Sequence, residues 1–144
     1  MPEENREEEF EKIAEALSES PYYKHLGMKI VKIRDKSSEA HLVLGAEHKN
    51  IWNTIHGGAV ASLLDSTCGS SLYSMLDTDE GAITVDLRVN YLAPPREGLM
   101  IGKGKFVHRT RNLAWSEAEA YDNDGKLVAR AQAIHRIIKR DWGK

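Results

Sequence analysis

The sequence predicts an α+β fold in which an antiparallel β-sheet wraps around one long central α-helix. One stretch of about twenty residues is apolar on most sides, and shorter segments alternate apolar and polar residues. The chain has 144 residues and a single cysteine, Cys68, so it can build one sizeable core but no internal disulfide. We therefore expect a single domain over residues 1–144 and a reducing, cytoplasmic location.

The first part of the chain is typical of a helix, a hairpin and a loop. Residues 3–18 carry apolar side chains at spacings of three and four, which predicts an amphipathic helix within an amino-terminal extension over residues 1–20. From Met28 the period changes to two, and residues 28–33 and 40–44 predict a hairpin. Gly45–Ile55 has neither period, so we expect a loop that is long enough to be functional.

The second part predicts the central helix and four strands. Gly58–Leu76 lacks turn signals and is apolar on most sides, as expected for a buried helix. The next strand is expected to present five apolar residues on one face: Ile83, Val85, Leu87, Val89 and Tyr91. The last three strands are expected at residues 99–108, 113–122 and 126–138, with a hairpin turn at Asn123-Asp124-Gly125.

Charge and hydropathy exclude several classes of protein. The formal net charge is −2, the sequence pI is about 6.3 and no basic cluster is present, which disfavours duplex nucleic acid as a partner. The acidic segment 1–11 is unlike a targeting signal, and no apolar run reaches the ~18 residues of a membrane span. Residues 81–144 carry 12 Lys/Arg against 7 Asp/Glu, which suits either an anionic ligand or a solvated strand face.

His56, Gly57 and Gly58 stand at the start of the predicted central helix. Glycines at a helix start let backbone N–H groups approach a ligand at the positive end of the helix dipole, where they can hold an oxyanion. The same glycines also suit a tight packing contact between helix and sheet. No second ligand lies at metal-binding spacing from His56, so we expect no metal and no cofactor.

Asp65 lies within the predicted helix among Ala, Ser, Leu and Cys, where a carboxylate must be hydrated, paired or functional. The residues that share its stripe at 100° per residue, and so predict a groove, are Gly58, Ser62 and Gly69. Asp65 is then either a catalytic carboxylate or the partner of an arginine, for which Arg88 and Arg109 are the candidates.

Asp65 and the helix start are separated by about 10 Å along the helix axis, because each residue adds ~1.5 Å. One chain does not easily bring them together. Two antiparallel copies of the helix across a twofold axis would place the start of one beside the middle of the other. We therefore expect a homodimer with two composite sites, assembling further into a homotetramer.

Two segments carry a family resemblance. Residues 50–58 read NIWNTIHGG and are followed by Asp65, and residues 84–92 read TVDLRVNYL. Together they resemble the PaaI-like branch of the hotdog-fold acyl-CoA thioesterases, named after phenylacetate degradation, over about residues 23–138. The resemblance implies a hotdog fold that hydrolyses an acyl-CoA to the free acid and CoA, and the candidate acyl-pocket residues named below would admit an aryl- or medium-chain acyl group.

The resemblance also implies roles for individual residues. Asp65 corresponds to the family's general base or nucleophile, and Gly57 to the residue whose N–H polarises the thioester carbonyl. His56 corresponds to the residue that shapes this turn, Asn50 to one that orients the attacking group, and Thr84 to one that holds the water. The family commonly has a glycine at the position of Asn53, the non-glycine residue type best suited to positive φ, so either asparagine could do the orienting.

The expected substrate contacts extend beyond these residues. Because CoA is a polyanion, we expect it to contact the basic turn formed by Arg109, Thr110, Arg111 and Asn112. The first helix and five further residues either line an acyl pocket or are plain core: Trp52, Leu72, Tyr73, Met75 and Met100.

The alternatives on the same fold are a non-catalytic acyl-CoA or lipid binder and a hydratase. The hydratase would use an Asp/His pair, and none is evident in the sequence. A regulator would need a DNA-binding module, and the twenty residues of the amino-terminal extension are too few for one.

Overall fold

A computed structural model of the chain describes residues 3–140. The helices are α1 (Glu3–Ser18), α2 (Pro21–Leu26) and α3 (Gly57–Ser70). The strands are β1 (Met28–Arg34), β2 (Ser37–Leu44), β3 (Glu80–Tyr91), β4 (Gly98–Arg109), β5 (Leu113–Tyr121) and β6 (Leu127–Lys139). The expected domain limits and helical extension include residues 1, 2 and 141–144, which lie outside this description.

The strands form one antiparallel sheet in the order β1-β2-β4-β5-β6-β3, and α3 contacts all six of them. The predicted α+β class, the amphipathic first helix, the first hairpin and the Asn123-Asp124-Gly125 turn are confirmed. Strands β1 and β3 are the edges of the sheet. Helix α1 packs against β1, whereas β3 has its outer edge open within residues 3–140.

Three local predictions differ from the structure. The central helix ends at Ser70 rather than Leu76, where serine hydroxyls bond back to carbonyls of the last turn, as from Ser71 Oγ to Cys68 O (2.7 Å). Helix α2 was not predicted, although Pro21 occupies the position in a first helical turn that suits proline. The 45–55 segment contains a short 3₁₀ helix at Ala46–His48 and a bridge between residues 49 and 55.

The predicted apolar face of β3 is wrong in part, because a β-bulge interrupts its alternation. Thr84 pairs with His135 and Asp86 with Ile134, so Val85 is the extra residue. An extra residue reverses which side chains face the core. Thr84 therefore faces α3, while Ile83 and Val85 remain 54% and 56% exposed.

The core lies between α3 and the inner face of the sheet. A Cβ on Gly102 or Gly104 of β4 would collide with Thr67 of α3, so these glycines allow the helix to approach the strand closely. Leu72 and Met100 are fully buried in the core, while Trp52 is 76% exposed. None of these three side chains therefore lines a pocket within a single copy of the chain. Within residues 3–140, no helix is both long and apolar enough to cross a membrane.

Candidate active site

The start of α3 is organised by the side chain of His56. His56 is the N-cap residue, and its Nδ1 accepts a hydrogen bond from the Gly58 N–H (2.7 Å). Gly57 is the first helical residue, so its N–H has no acceptor inside the helix and points along the positive end of the helix dipole. Of the two glycine N–H groups, the one on Gly57 is therefore available to a ligand.

Gly57 is held in place from the sheet by Tyr91, near the end of β3. The Tyr91 hydroxyl donates to Gly57 O (2.7 Å), and a Cβ on Gly57 would lie 3.2 to 3.4 Å from the tyrosine ring. The glycine therefore permits a close approach to the sheet as well as an exposed donor. The sequence left open whether the glycines expose N–H donors or allow tight packing between helix and sheet, and Gly57 does both.

The preceding loop is held by hydrogen bonds of its own. Asn50 Oδ1 accepts from the N–H groups of Trp52 (2.9 Å) and Thr54 (3.2 Å), and Asn50 Nδ2 donates to the Thr54 hydroxyl (3.0 Å). Asn53 has a φ of 61°, as expected for the residue that replaces a glycine. In this structure Asn50 shapes the loop, and its contact with a substrate remains a prediction.

Asp65 is not paired with an arginine. Its Oδ1 accepts a hydrogen bond from the Thr84 hydroxyl (2.7 Å), while Arg88 pairs with Asp86 and Arg109 with Glu80. The Asp65 side chain is 38% exposed, and its Oδ2 makes no hydrogen bond to another residue in the described part of the chain. One carboxylate oxygen is therefore fixed, and the other is available to a water molecule.

His135 of β6 completes this cluster and was not predicted as a site residue. Its Nε2 lies 3.1 Å from Thr84 Oγ1 and 4.0 Å from Asp65 Oδ1. No Asp/His pair was evident in the sequence, because Asp65 and His135, which Thr84 bridges, come together only across the fold. The sequence signal that could have found His135 is its position on the apolar face of a predicted strand. In the structure its side chain is buried, with 2% exposure.

The protonation of His135 follows from its neighbours. Because the Thr84 hydroxyl gives its proton to Asp65, we assign the proton of His135 to Nε2, from where it donates to Thr84. Burial lowers the pKa of His135, and the nearby Asp65 opposes this only in part, so the ring is neutral at pH 7. Nδ1 is then a buried acceptor with no partner among residues 3–140.

A cavity of about 360 Å³ opens beside Asp65. Its walls come from α3, including Ser62, Asp65 and Gly69 of the predicted stripe, from β3 and β6, and from helices α1 and α2. The lining includes three tyrosines, Tyr22, Tyr23 and Tyr73, together with Leu17 of the first helix. Tyr73 and the first helix thus belong to a pocket, while Met75 is outside it.

Part of the predicted CoA-binding turn already makes hydrogen bonds within the chain. Arg109 donates to Met75 O (2.6 Å) and to Glu80 Oε1 (3.1 Å), and its guanidinium holds the pKa of Glu80 below the usual range. The Thr110 hydroxyl accepts from the Leu113 N–H (3.2 Å). Thr110, Arg111 and Asn112 are exposed, so this part of the turn faces solvent.

Comparison with known proteins agrees with this architecture. The family model of the thioesterase superfamily matches residues 53–129, more than half of the chain. The Escherichia coli protein named 1,4-dihydroxy-2-naphthoyl-CoA hydrolase is 23% identical over 124 residues, covering 85% of this chain and 90% of the relative. Human acyl-coenzyme A thioesterase 13 is 29% identical over 90 residues, covering 60% and 62%. A solved thioesterase structure from Haemophilus influenzae superposes with a TM-score of 0.81 at 18% identity, covering 94% of both chains.

The chain therefore belongs to the thioesterase superfamily and has its hotdog fold. It is a thioester hydrolase, so the alternative functions considered from the sequence, a non-catalytic binder and a hydratase, are set aside.

Proposed function

We propose that the protein hydrolyses an acyl-CoA thioester at two composite sites of a homodimer, with Asp65 as the catalytic carboxylate. The observation that carries the proposal is the Asp65 side chain, which lines the cavity, is anchored through Oδ1 by Thr84 and has no hydrogen-bond partner for Oδ2 among residues 3–140. In the reaction, Oδ2 removes a proton from water, and the water oxygen attacks the thioester carbonyl carbon. An alternative is direct attack by the carboxylate, which gives an anhydride that water then opens.

The developing oxyanion needs a donor that Asp65 cannot supply. Gly57 precedes Asp65 by eight residues, about 12 Å along α3, so we assign this role to the Gly57 N–H of the partner subunit. When the tetrahedral intermediate collapses, CoA leaves as a thiolate, which needs little protonation. Carboxylate and N–H donor together are therefore sufficient.

The open edge of β3 supports the dimer. It is twelve residues long, is unpaired on one side within the described chain, and exposes Ile83 and Val85. Such an edge pairs readily with a second strand, and pairing with its own copy would set two α3 helices antiparallel. We propose that two such dimers form a tetramer through the outer face of the sheet, where Val43 and Val107 are exposed.

We propose an aryl or medium-chain acyl group in the cavity beside Asp65. The three tyrosine rings of its lining favour the aryl group, because flat rings pack against aromatic side chains. Arg111 and Asn112 are the proposed contacts to the phosphates of CoA, while Arg109 and Thr110 would have to exchange their present partners. We place the reaction in the cytoplasm, where Cys68 would stay reduced.

The test is hydrolysis of a panel of acyl-CoA esters, with CoA release followed by a thiol reagent. We expect turnover by the unaltered protein and a loss of about 10²- to 10⁴-fold in kcat for Asp65→Asn, which keeps the side-chain volume and removes the base. Asp86→Asn, on the exposed side of β3, is the matched control and should retain activity. Unchanged turnover by Asp65→Asn would refute its role.

A mixing experiment tests the composite site separately. Heterodimers of an Asp65→Asn chain and a Gly57→Pro chain contain one site with both defects and one site with neither. Random assortment should therefore restore about a quarter of the original activity. No recovery in verified heterodimers would place each site within one chain.

A further inference from the structure

We propose that Tyr22 closes the outer end of the acyl cavity and sets the largest acyl group that the enzyme accepts. This inference rests on the proposed function and adds a specificity-determining residue to it. It concerns helix α2, which lies outside residues 50–58 and 84–92, the two segments on which the family resemblance was based.

The two walls of the cavity differ in how firmly they are held. The α3 wall is rigid, because the opposite face of this helix is fully buried against the sheet at Leu63, Leu64 and Cys68. Helix α2, by contrast, has no fully buried residue, and its Tyr23 and Leu26 are only partly buried against the core. Its carboxyl end is tied by a hydrogen bond between His48 Nε2 and Leu26 O (2.7 Å).

A second hydrogen bond between α2 and another part of the chain crosses the mouth of the cavity. The Tyr22 hydroxyl lies 2.7 Å from Ser62 Oγ, and Ser62 stands on α3 one turn before Asp65. Tyr22 is 56% exposed, so one face of its ring meets solvent while the side chain still lines the cavity. The ring thus forms the outer boundary of the space that begins at Asp65.

Neighbouring groups define the remaining boundary. Tyr23, the next residue of α2, is partly buried against the core, and burial raises the pKa of its hydroxyl. Tyr73, Ala82 and His135 close the inner part of the cavity. Because these residues belong to the packed core or the sheet, Tyr22 is the lining aromatic residue whose removal enlarges the cavity at least cost to the fold.

The experiment compares kcat/KM for 2-naphthoyl-CoA and benzoyl-CoA, two esters that differ by one fused ring. Tyr22→Ala should raise the ratio of the larger to the smaller substrate by ~10-fold or more. Tyr22→Phe keeps the ring and should leave the ratio within about twofold of the unaltered protein. Tyr121→Ala, on a strand remote from the cavity, is the matched control and should not change the ratio.

Two results would overturn the proposal while leaving the thioesterase function intact. One is an unchanged ratio in Tyr22→Ala, and the other is an equal shift in Tyr22→Phe, which would assign the effect to the hydroxyl instead of the ring. If Tyr22→Ala does not fold, Tyr22→Val is measured under the same criteria. Absence of hydrolysis by the unaltered protein on every ester would instead refute the proposed function.

Discussion

The loop around Asn50 and the cluster of Asp65, Thr84 and His135 are held together in opposite ways. The loop is stabilised mainly by bonds between residues close in sequence, such as those from Asn50 to Thr54. The cluster joins α3, β3 and β6 by contacts that span 19 and 51 residues. A local change in the sequence around Asn50 therefore acts mainly on the loop, whereas the cluster exists only when β3 and β6 pair in the right register.

The strongest test of the locally built region removes the N–H of Gly57. Gly57→Pro should lower kcat by about 10²- to 10³-fold, because the proposed oxyanion donor is lost. The backbone accepts this change, since proline suits the first helical position and the preceding His56 is extended, with ψ of 131°. The measurement is steady-state hydrolysis of the best acyl-CoA found in the panel.

The matched control for this change is Gly57→Ala. It adds the same Cβ near the Tyr91 ring, where the nearest atoms lie at 3.2 to 3.4 Å, but it keeps the N–H. The alanine variant should therefore be much more active than the proline variant. Equal losses in both would show that crowding against Tyr91, and not the donor, limits the reaction.

The long-range cluster should respond to loss of the Thr84 hydroxyl. Thr84→Val removes the bond to Asp65 Oδ1 and leaves the carboxylate free to rotate, so kcat should fall by about 10- to 100-fold. Thr84→Ser keeps the hydroxyl and should stay within a few-fold of the unaltered protein. The measurement is kcat with KM determined in parallel.

His135 acts on Asp65 through Thr84, so the two positions should not be independent. His135→Gln in a Thr84→Val background should cost much less than it costs alone, because the hydroxyl that it orients is already gone. Additive losses in a double-mutant cycle would contradict this chain of contacts.

The contrast between local and long-range contacts explains how much of the site the sequence could predict. Positive φ at Asn53 and the capping of α3 by His56 depend on neighbouring residues, so the local sequence pattern and the family resemblance were enough to anticipate the loop and the helix start. His135 could not be found in this way, since its place beside Thr84 depends on strand pairing. The bulge at Val85, which turns Thr84 toward α3, left no trace in the alternation of β3.

Tyr91 connects the start of α3 with strand β3, and its replacement should have a smaller effect on catalysis. Its hydroxyl fixes Gly57 O from the end of β3, so Tyr91→Phe should lower kcat by about 10-fold with little change in KM. Tyr121→Phe, whose hydroxyl donates to Glu119 on the same strand, is the control and should be silent. A change confined to KM would mean that Tyr91 acts on substrate binding and not on Gly57.

The pH dependence of stability should report on the buried histidine. Burial lowers the pKa of His135 in the folded protein, so below the ordinary value of about 6.5 the unfolded chain binds more protons than the folded one. The free energy of unfolding should therefore fall as the pH decreases from about 6.5 toward the folded pKa, by at most about 1.4 kcal/mol per pH unit. Urea titrations at pH 7.5 and 5.5 measure it.

The control for the pH effect is His135→Gln, which cannot titrate. This variant should show a smaller loss of stability between the two pH values, whereas replacement of the exposed His25 by Gln should leave the loss unchanged. An equal loss in His135→Gln and the unaltered protein would assign the pH dependence to other groups.

The smallest effect is expected at Cys68, on the core face of the same helix that carries Asp65. Burial raises the pKa of the Cys68 thiol to about 12, and the residue is fully buried, so thiolate is scarce and inaccessible. The native protein should show no measurable reaction with a thiol reagent during an assay, while the chain unfolded in urea should react with one equivalent. Rapid native reaction would mean that α3 leaves the sheet readily, so that its wall of the acyl cavity would be as movable as α2.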